Sequence, residues 1–311
     1  MLRRDQKTMT TVQPVVTIGV CVKNSASTIC ESIDSILSQD FSHELMEIIF
    51  VDDGSQDNTL SVIQEIISKI NISAKVIHTE WRGLGYARNL VVNGARGDYI
   101  VWVDGDMVLS TDYVGKLVEF MEQNPKVGIA KGEYALIPGA NWIATLEIFS
   151  RAAGKKVNFN YTTRAQSRAV GTGGSIYRIE AIRQTKGFDK NLKGYGEDWD
   201  AEYGIRAAGW MLNTIDVTFR DYERYGITWK ALWKNYFRRG YDLYSFSRKN
   251  KGMIKFSKMQ PLAAFVSGFF HSLKIYKLTH QKKVFLLPLQ YTFKMTAWSL
   301  GFIRSHLNNH F

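Results

Sequence analysis

At 311 residues, with 45% apolar and 13% aromatic residues, the chain can bury the core of one large α/β domain plus an appendage, which excludes a chain without a packed interior. Two cysteines, Cys21 and Cys30, show no metal-ligand spacing, which excludes a cysteine metal module and predicts buried free thiols in a reducing cytosol. The net charge of +11 is lopsided: residues 226–311 hold fifteen Lys and Arg against the single Asp242, a net +14, leaving −3 for the first 225. That asymmetry predicts a near-neutral body and a basic docking region.

Residues 1–14 carry Arg3 and Arg4 with no apolar stretch behind them, so they read as a tail and not as a signal peptide. Val15 to Val22 reads as a strand ending in Lys23-Asn24-Ser25. Thr28-Ile29-Cys30-Glu31 has capping-box spacing, and Ile29, Ile33, Ile36 and Leu37 share one helical face. Glu47 to Val51 is a second strand, ending in Asp52-Asp53-Gly54-Ser55. Leu60, Ile63, Ile67 and Ile70 then recur at helical spacing. Val76 to His78 is a short strand, and Leu84 to Gly94 a helix entered through Gly83. Next come Tyr99 to Val103, an apolar run reading as a strand buried on both faces, and then Asp104-Gly105-Asp106. A parallel strand delivers such acids to the crevice at its carboxyl end, where open α/β sheets bind ligands. Two hard oxygen ligands suit Mg²⁺ or Mn²⁺ shared with the phosphates of a substrate. A plain Asp-Gly turn is the competing reading at 53–54 and at 104–106. The regular strand–helix alternation predicts a parallel, doubly wound sheet with Asn24, Asp53 and Asp104/Asp106 along one edge.

Val16 to Asn24, Ile49 to Thr59, Gly85-Tyr86-Ala87-Arg88-Asn89 and Asp104 to Asp106 together resemble glycosyltransferase family 2, in order and spacing, over roughly the first 220 residues. The resemblance implies the GT-A fold: an α/β, Rossmann-like nucleotide-binding mixed sheet flanked by helices, over residues 15–225. It implies that Asn24, Asp53, Arg88 and Asp104 bind the nucleotide of a nucleoside-diphosphate sugar, with Asp53 on the base. It also implies that Asp106, with Asp104, holds a divalent metal, Mn²⁺ or Mg²⁺, on the diphosphate. Val170 to Ser175 resembles the family's acceptor-side glycine segment, with Gly173 and Gly174 against substrate. Gly194 to Asp200, read as leading into a helix from Ala201 to Ala208, matches the family's acidic element. There Glu197 and Asp198 are the catalytic pair, with Asp198 the base, and Asp200 preserves a second acid. A sugar hydroxyl is a poor nucleophile near neutral pH, so a carboxylate placed to take its proton accelerates attack. Trp199 is an acceptor-side residue that either stacks on a sugar or packs. Family members often carry a metal-binding histidine after this helix. Residues 217–224 have none, leaving Asp221 or Glu223 as substitutes.

From Trp229 to Lys258 aromatics interleave with basic residues, among them Arg238 and Arg239, expected to face a membrane or phosphates. Pro261 to Leu278 carries Ser267, His271 and Lys274 on one helical stripe, and Val284 to Leu307 carries Gln290, Lys294, Gly301 and Arg304 on another. The second is long enough to span a bilayer. A Lys at mid-helix costs about 2.5–3.5 kcal/mol there, and Pro288 and Gln290 add to that. Helices lying in the headgroup interface fit better. A spanning hairpin, or soluble helices packed on the body or a partner, are the alternatives.

The expected protein is a metal-dependent inverting glycosyltransferase at the cytoplasmic face of the cell membrane. Its partners would be a nucleoside-diphosphate sugar, a lipid-linked or glycan acceptor and an anionic membrane surface, and no nucleic acid. Transfer onto polyprenyl phosphate, as in enzymes resembling dolichyl-phosphate mannose synthases, is the nearest alternative. A nucleotide-sugar-binding or nucleic-acid-binding protein without catalysis is the non-enzyme one.

Overall fold

The structure, a computed structural model, describes residues 13–153, 170–221, 226–252, 254 and 256–308. The strands are β1 (Val16–Val22), β2 (Met46–Asp53), β3 (Ser73–Thr79), β4 (Tyr99–Trp102), β5 (Met107–Leu109), β6 (Val127–Tyr134), β7 (Ser175–Arg178) and β8 (Met211–Asp221). They form one sheet in the order β3-β2-β1-β4-β7-β6-β8-β5. The first four pair in parallel, as the alternation predicts. Beyond β4 the sheet is mixed: β7 runs antiparallel to both β4 and β6, and β5 antiparallel to β8. The parallel, doubly wound expectation therefore holds for β1 to β4 only, because β7, which leaves the Gly171–Gly174 turn, is inserted between β4 and β6 in the opposite direction. The α/β class with a mixed sheet is as expected.

Helices cover both faces of the sheet. Ile29, Ile33 and Ile36 of α1 (Ile29–Leu37), Ile63 of α2 (Thr59–Ile67) and Val114 and Leu117 of α4 (Tyr113–Gln123) meet Ile18, Val20, Ile48 and Phe50 on one side. Ala87 and Val91 of α3 (Leu84–Gly94), Ile182 of α6 (Ile179–Gln184) and Ile205 of α7 (Glu197–Ala207) meet Ile49, Val51 and Trp102 on the other. Period-two alternation inside β2 sends successive apolar residues to opposite cores. The capping-box spacing at Thr28 is not used as a cap. The Thr28 hydroxyl donates to Gly105 O at 2.8 Å and Ser32 Oγ to Asp104 O at 3.0 Å, so α1 stitches down the Asp-Gly-Asp turn. Of the two free thiols, Cys30 is exposed on α1 and Cys21 is half-buried, so the expectation of two buried cysteines fails at Cys30, which sits on the outer face of an amphipathic helix.

The basic C-terminal region forms α8 (Trp229–Lys249), α9 (Pro261–Thr279) and α10 (Leu287–Asn308). Thr228 accepts from Ala231 N to cap α8, and Pro261 starts α9 where its missing N–H is harmless. A side chain at Gly240 would collide with Trp298 O, and one at Gly301 with Phe237 O, so α8 and α10 touch backbone to backbone. These helices also pack on α5 (Trp142–Ala153). Lys294 Nζ meets Glu147 Oε2 and Ser150 Oγ, each at 2.8 Å, with Glu147 and Lys294 both buried. Gln290 Nε2 donates to Ile143 O at 3.2 Å.

The polar stripe of α10 (Gln290, Lys294, Gly301) therefore faces the protein, and the apolar side faces outward. Thirteen of the eighteen exposed large apolar side chains among the described residues lie between Leu262 and Leu307, with Leu262 at 75% exposure and Phe270 at 64%. Among the described residues no helix is long and apolar enough to cross a membrane.

Burial alone would raise the Glu147 carboxyl, but the Lys294 ammonium and the Arg151 guanidinium hold it down at about 2. A depressed carboxylate stabilises the fold fully above the ordinary Glu value of 4.5 and loses that contribution as pH falls towards 2. Glu147→Gln is expected to cost about 3–5 kcal/mol, because it strands buried cations. Urea unfolding at neutral pH checks this. A loss below about 1 kcal/mol would mean that the α5–α10 contact rests on packing alone.

Candidate active site

The carboxyl ends of β1, β2 and β4, the turn before β7 and the first turn of α7 converge on one edge. Asp104 and Asp106 follow β4, half-exposed. Gly173 lies against Asp104 so closely that a side chain there would collide with Oδ2. Gly174, at φ +74°, gives its carbonyl to the Tyr113 hydroxyl, and its N–H donates to Trp102 O at 2.8 Å. The two glycines thus bring the turn onto the Asp-Gly-Asp backbone. Asp104 accepts no side-chain hydrogen bond from the described residues, so its hard oxygens are available to a cation. No group of three or more His, Cys, Asp or Glu able to hold a metal ion occurs among the described residues. Two carboxylates completed by substrate phosphates is the way Mg²⁺ is commonly held, and the residues fit that arrangement. Asp221, weighed as a third ligand, is buried, and its Oδ2 lies 3.4 Å from Arg151 Nη1. Glu223 lies outside the described residues.

α7 begins at Glu197, four residues before the expected start, which puts three acids in its first turn. The helix dipole favours their charge, and each points to a different partner. Glu197 is buried on the Arg88 guanidinium. Burial pushes its carboxyl up, Arg88 pulls it back, and the neighbouring Asp198 charge adds to the rise, leaving it at about 8. Asp200 accepts from Lys249 Nζ at 2.8 Å and Asn250 Nδ2 at 2.9 Å, tying the end of α8 to the site. Asp198 is half-exposed, with Oδ2 3.3 Å from where a Gly171 side chain would begin. Trp199 packs edge-to-face on Phe246 at 5.9 Å, which favours the packing reading over stacking on a sugar.

The expected nucleotide-site residues differ in their surroundings. Arg88 is buried behind the site, with its guanidinium engaged by Glu197 and near the rings of Trp102 and Phe188. Asp53 is buried and accepts from Arg82 N at 2.7 Å and Gly83 N at 2.8 Å, so it holds the loop entering α3. Asn24, at φ +53°, is exposed and accepts from Gln56 N at 2.7 Å. Arg238 is exposed, 3.6 Å from Asp242, while Arg239 sits over the rings of Tyr195 and Tyr236.

Sequence reasoning missed two charged groups and one aromatic. Lys131 on β6 is buried and donates to Val170 O at 2.8 Å, and Glu202 on α7 accepts from the N–H groups of Val170 and Gly171. Together they clamp the strand-entry peptide beside Asp198. Burial lowers the Lys131 pKa against the pull of Asp104 and Glu202. Burial, with Asp198, raises Glu202 to about 7. A lysine directly after the run Val127 to Ala130 was the available signal. Trp81, 49% exposed between Lys23 and Lys193, is an open aromatic at the same edge.

A model of glycosyl transferase family 2 matches residues 17–185. The uncharacterized glycosyltransferase EpsJ of Bacillus subtilis is 41% identical over 111 residues, 36% of this chain and 31% of that protein. The poly-beta-1,6-N-acetyl-D-glucosamine synthase of Staphylococcus epidermidis is 28% identical over 222 residues, 68% of this chain and 50% of that protein. The chain spans about a third to a half of the length of the first curated relatives it matches. Among solved structures, the mannosyltransferase PcManGT from Pyrobaculum calidifontis, in complex with GDP-Man and Mn²⁺, superposes with a TM-score of 0.67 at 18% identity. The match covers 96% of this chain and 88% of that one, and carries the fold.

Proposed function

The chain belongs to glycosyl transferase family 2, and from that premise we propose that it is a metal-dependent, inverting enzyme moving a sugar from a nucleoside diphosphate to a hydroxyl of a membrane-presented, lipid-linked acceptor. The observation that carries this is the pairing of Asp104 and Asp106 at the end of β4 with Asp198 across the Gly171–Gly174 turn. Asp104 and Asp106 would hold the cation, which when bound neutralises charge growing on the leaving diphosphate. Asn24 and Trp81, exposed on the same edge, would line the nucleotide end. Asp53 and Arg88 shape that end from behind, through the Arg82–Gly83 loop and Glu197. Asp198 takes the acceptor proton, and the glycine turn leaves its approach open. A phosphate acceptor arrives ionised and needs no such base, which favours a hydroxyl. Purified full-length protein incubated with UDP- and GDP-sugars, with Mn²⁺ or with chelator, tests the reading. Metal-dependent donor hydrolysis or transfer supports it, and inertness towards every nucleotide sugar overturns it.

The membrane part of the proposal rests on polarity. Residues 15–225 supply the sheet and its acids, and residues 226–311 a helical face whose apolar side is outward. Exposed Lys274, Lys277, Lys282, Lys283 and Arg304 lie on the same helices and their connection. Apolar side chains would enter the headgroup boundary, and each nearby cation adds about 1 kcal/mol on an anionic leaflet. The full chain is expected to float with vesicles containing anionic lipid, and to be released at least partly by high salt. A protein that stays at the bottom of the gradient and forms a discrete oligomer would assign the face to a second copy.

A further inference from the structure

Between α5, α8, α9 and α10 lies a cavity of about 270 Å³, remote from the nucleotide edge and lined by Ser150, Arg151, Tyr236, Ser267, Tyr291 and Lys294. Arg151 and Lys294 are already paired, both with Glu147 and Arg151 also with Asp221. Each nevertheless keeps donors in hand. Arg151 gives Nε to Glu147 and Nη1 to Tyr134 and Asp221, while Nη2 donates to none of the described residues. Lys294 uses two of its three protons, on Glu147 and Ser150, with the ammonium 5.0 and 4.8 Å from the Tyr236 and Tyr291 rings. Ser267 is exposed at the rim and bonds to no described residue. Unmatched donors on cations at a cavity wall call for an anion rich in acceptors.

Two further observations narrow the ligand. Ala264 and Met295 complete the wall, and the exposed Leu262, Phe265 and Val266 of α9 lie beside it, so the opening is apolar. On the inner side, Arg151 pairs with Asp221, which registers with Met107, the residue after Asp106. The cavity wall is thus linked, through Arg151 and Asp221 on β8, to the start of β5, the strand that follows the Asp-Gly-Asp turn. We propose that it seats the phosphate head of the lipid-linked acceptor, with the lipid chain leaving along α9 and the sugar end directed towards Asp198. This deepens the proposed function, and it rests on the acceptor of that reading being lipid-linked.

Binding of farnesyl phosphate to the full-length protein, by titration calorimetry below its micelle concentration, tests the assignment. Farnesol, inorganic phosphate and dihexanoyl phosphatidylglycerol serve as the other arms. Farnesyl phosphate should bind at least about tenfold more tightly than each of these, the scale of one charge-assisted hydrogen bond. Ser267→Trp, which plugs the rim without touching a buried group, should weaken it by about tenfold or more. So should the double variant Glu147→Gln/Lys294→Met, which removes a cation together with its counter-charge. Nucleotide affinity of Ser267→Trp should be unchanged. Equal binding of farnesol, or wild-type affinity in both variants, overturns the proposal. Tighter binding of the phosphatidylglycerol hands the cavity to bulk lipid and does the same. Farnesyl phosphate bound through the cavity by protein that fails to float on vesicles overturns the membrane reading and leaves the cavity assigned. Flotation without cavity-dependent binding does the reverse.

Discussion

Asp198→Asn is expected to keep nucleotide-sugar affinity within a few-fold while transfer to a hydroxyl acceptor falls by roughly 10²–10⁴-fold, the usual contribution of a positioned general base. Of the three acids opening α7, Glu197 is held on Arg88 and Asp200 on Lys249 and Asn250. Asp198 alone borders the glycine turn, with Oδ2 towards Gly171. Asparagine keeps the volume and the bond that Trp199 N makes to Oδ1, so the helix start is preserved. The split between intact binding and lost rate separates a base from a scaffold residue. Collapse of donor affinity, or a rate that barely moves, would assign Asp198 a structural role. A variant active only on phosphate acceptors would point instead to transfer onto polyprenyl phosphate.

Asp106→Asn is expected to abolish turnover, with a loss exceeding about 10³-fold. It removes half the carboxylate charge proposed to hold the cation, and with it the stabilisation of the departing diphosphate. Nucleotide binding should lose its dependence on Mn²⁺ in the same variant. Thr28 and Ser32 anchor the turn through the carbonyls of Gly105 and Asp104, so the backbone should survive the change. Activity that persists in Asp106→Asn and in excess chelator would refute metal assistance at this turn.

The chemistry-bearing strand ends were legible because their signals are local. An apolar run stopping on Asp104-Gly105-Asp106 needs no partner to be recognised, and α3 spans Leu84–Gly94 after Gly83, as read. What escaped depends on long-range pairing. Nothing near Arg88 in sequence announces that Glu197, 109 residues on, will take its guanidinium. Lys294 read as a cost to an apolar helix because its counter-ion, Glu147, sits 147 residues away. For the same reason the stripe on α10 did not by itself say which side it faces. A stripe of Gln290, Lys294 and Gly301 looks like a wet face until α5 and α8 are placed against it. The strand–helix alternation did not carry the mixed half of the sheet, which the family resemblance alone implied, since strand direction past β4 follows from the path of the chain and not from composition.

The glycine crossing of α8 and α10 has a mechanical consequence. With Gly240 and Gly301 in backbone contact, and with Lys249 and Asn250 fastening the far end of α8 to Asp200, α8 and α10 are tied to the first turn of α7 and so to the proposed base. If those helices rest on a bilayer, the enzyme stands at one fixed height and tilt above it. It then works as a ruler, and an acceptor qualifies by how far its reactive hydroxyl stands off the lipid surface as much as by its sugar chemistry. Acceptors with the same terminal sugar on longer or shorter stems would be sorted by that standoff.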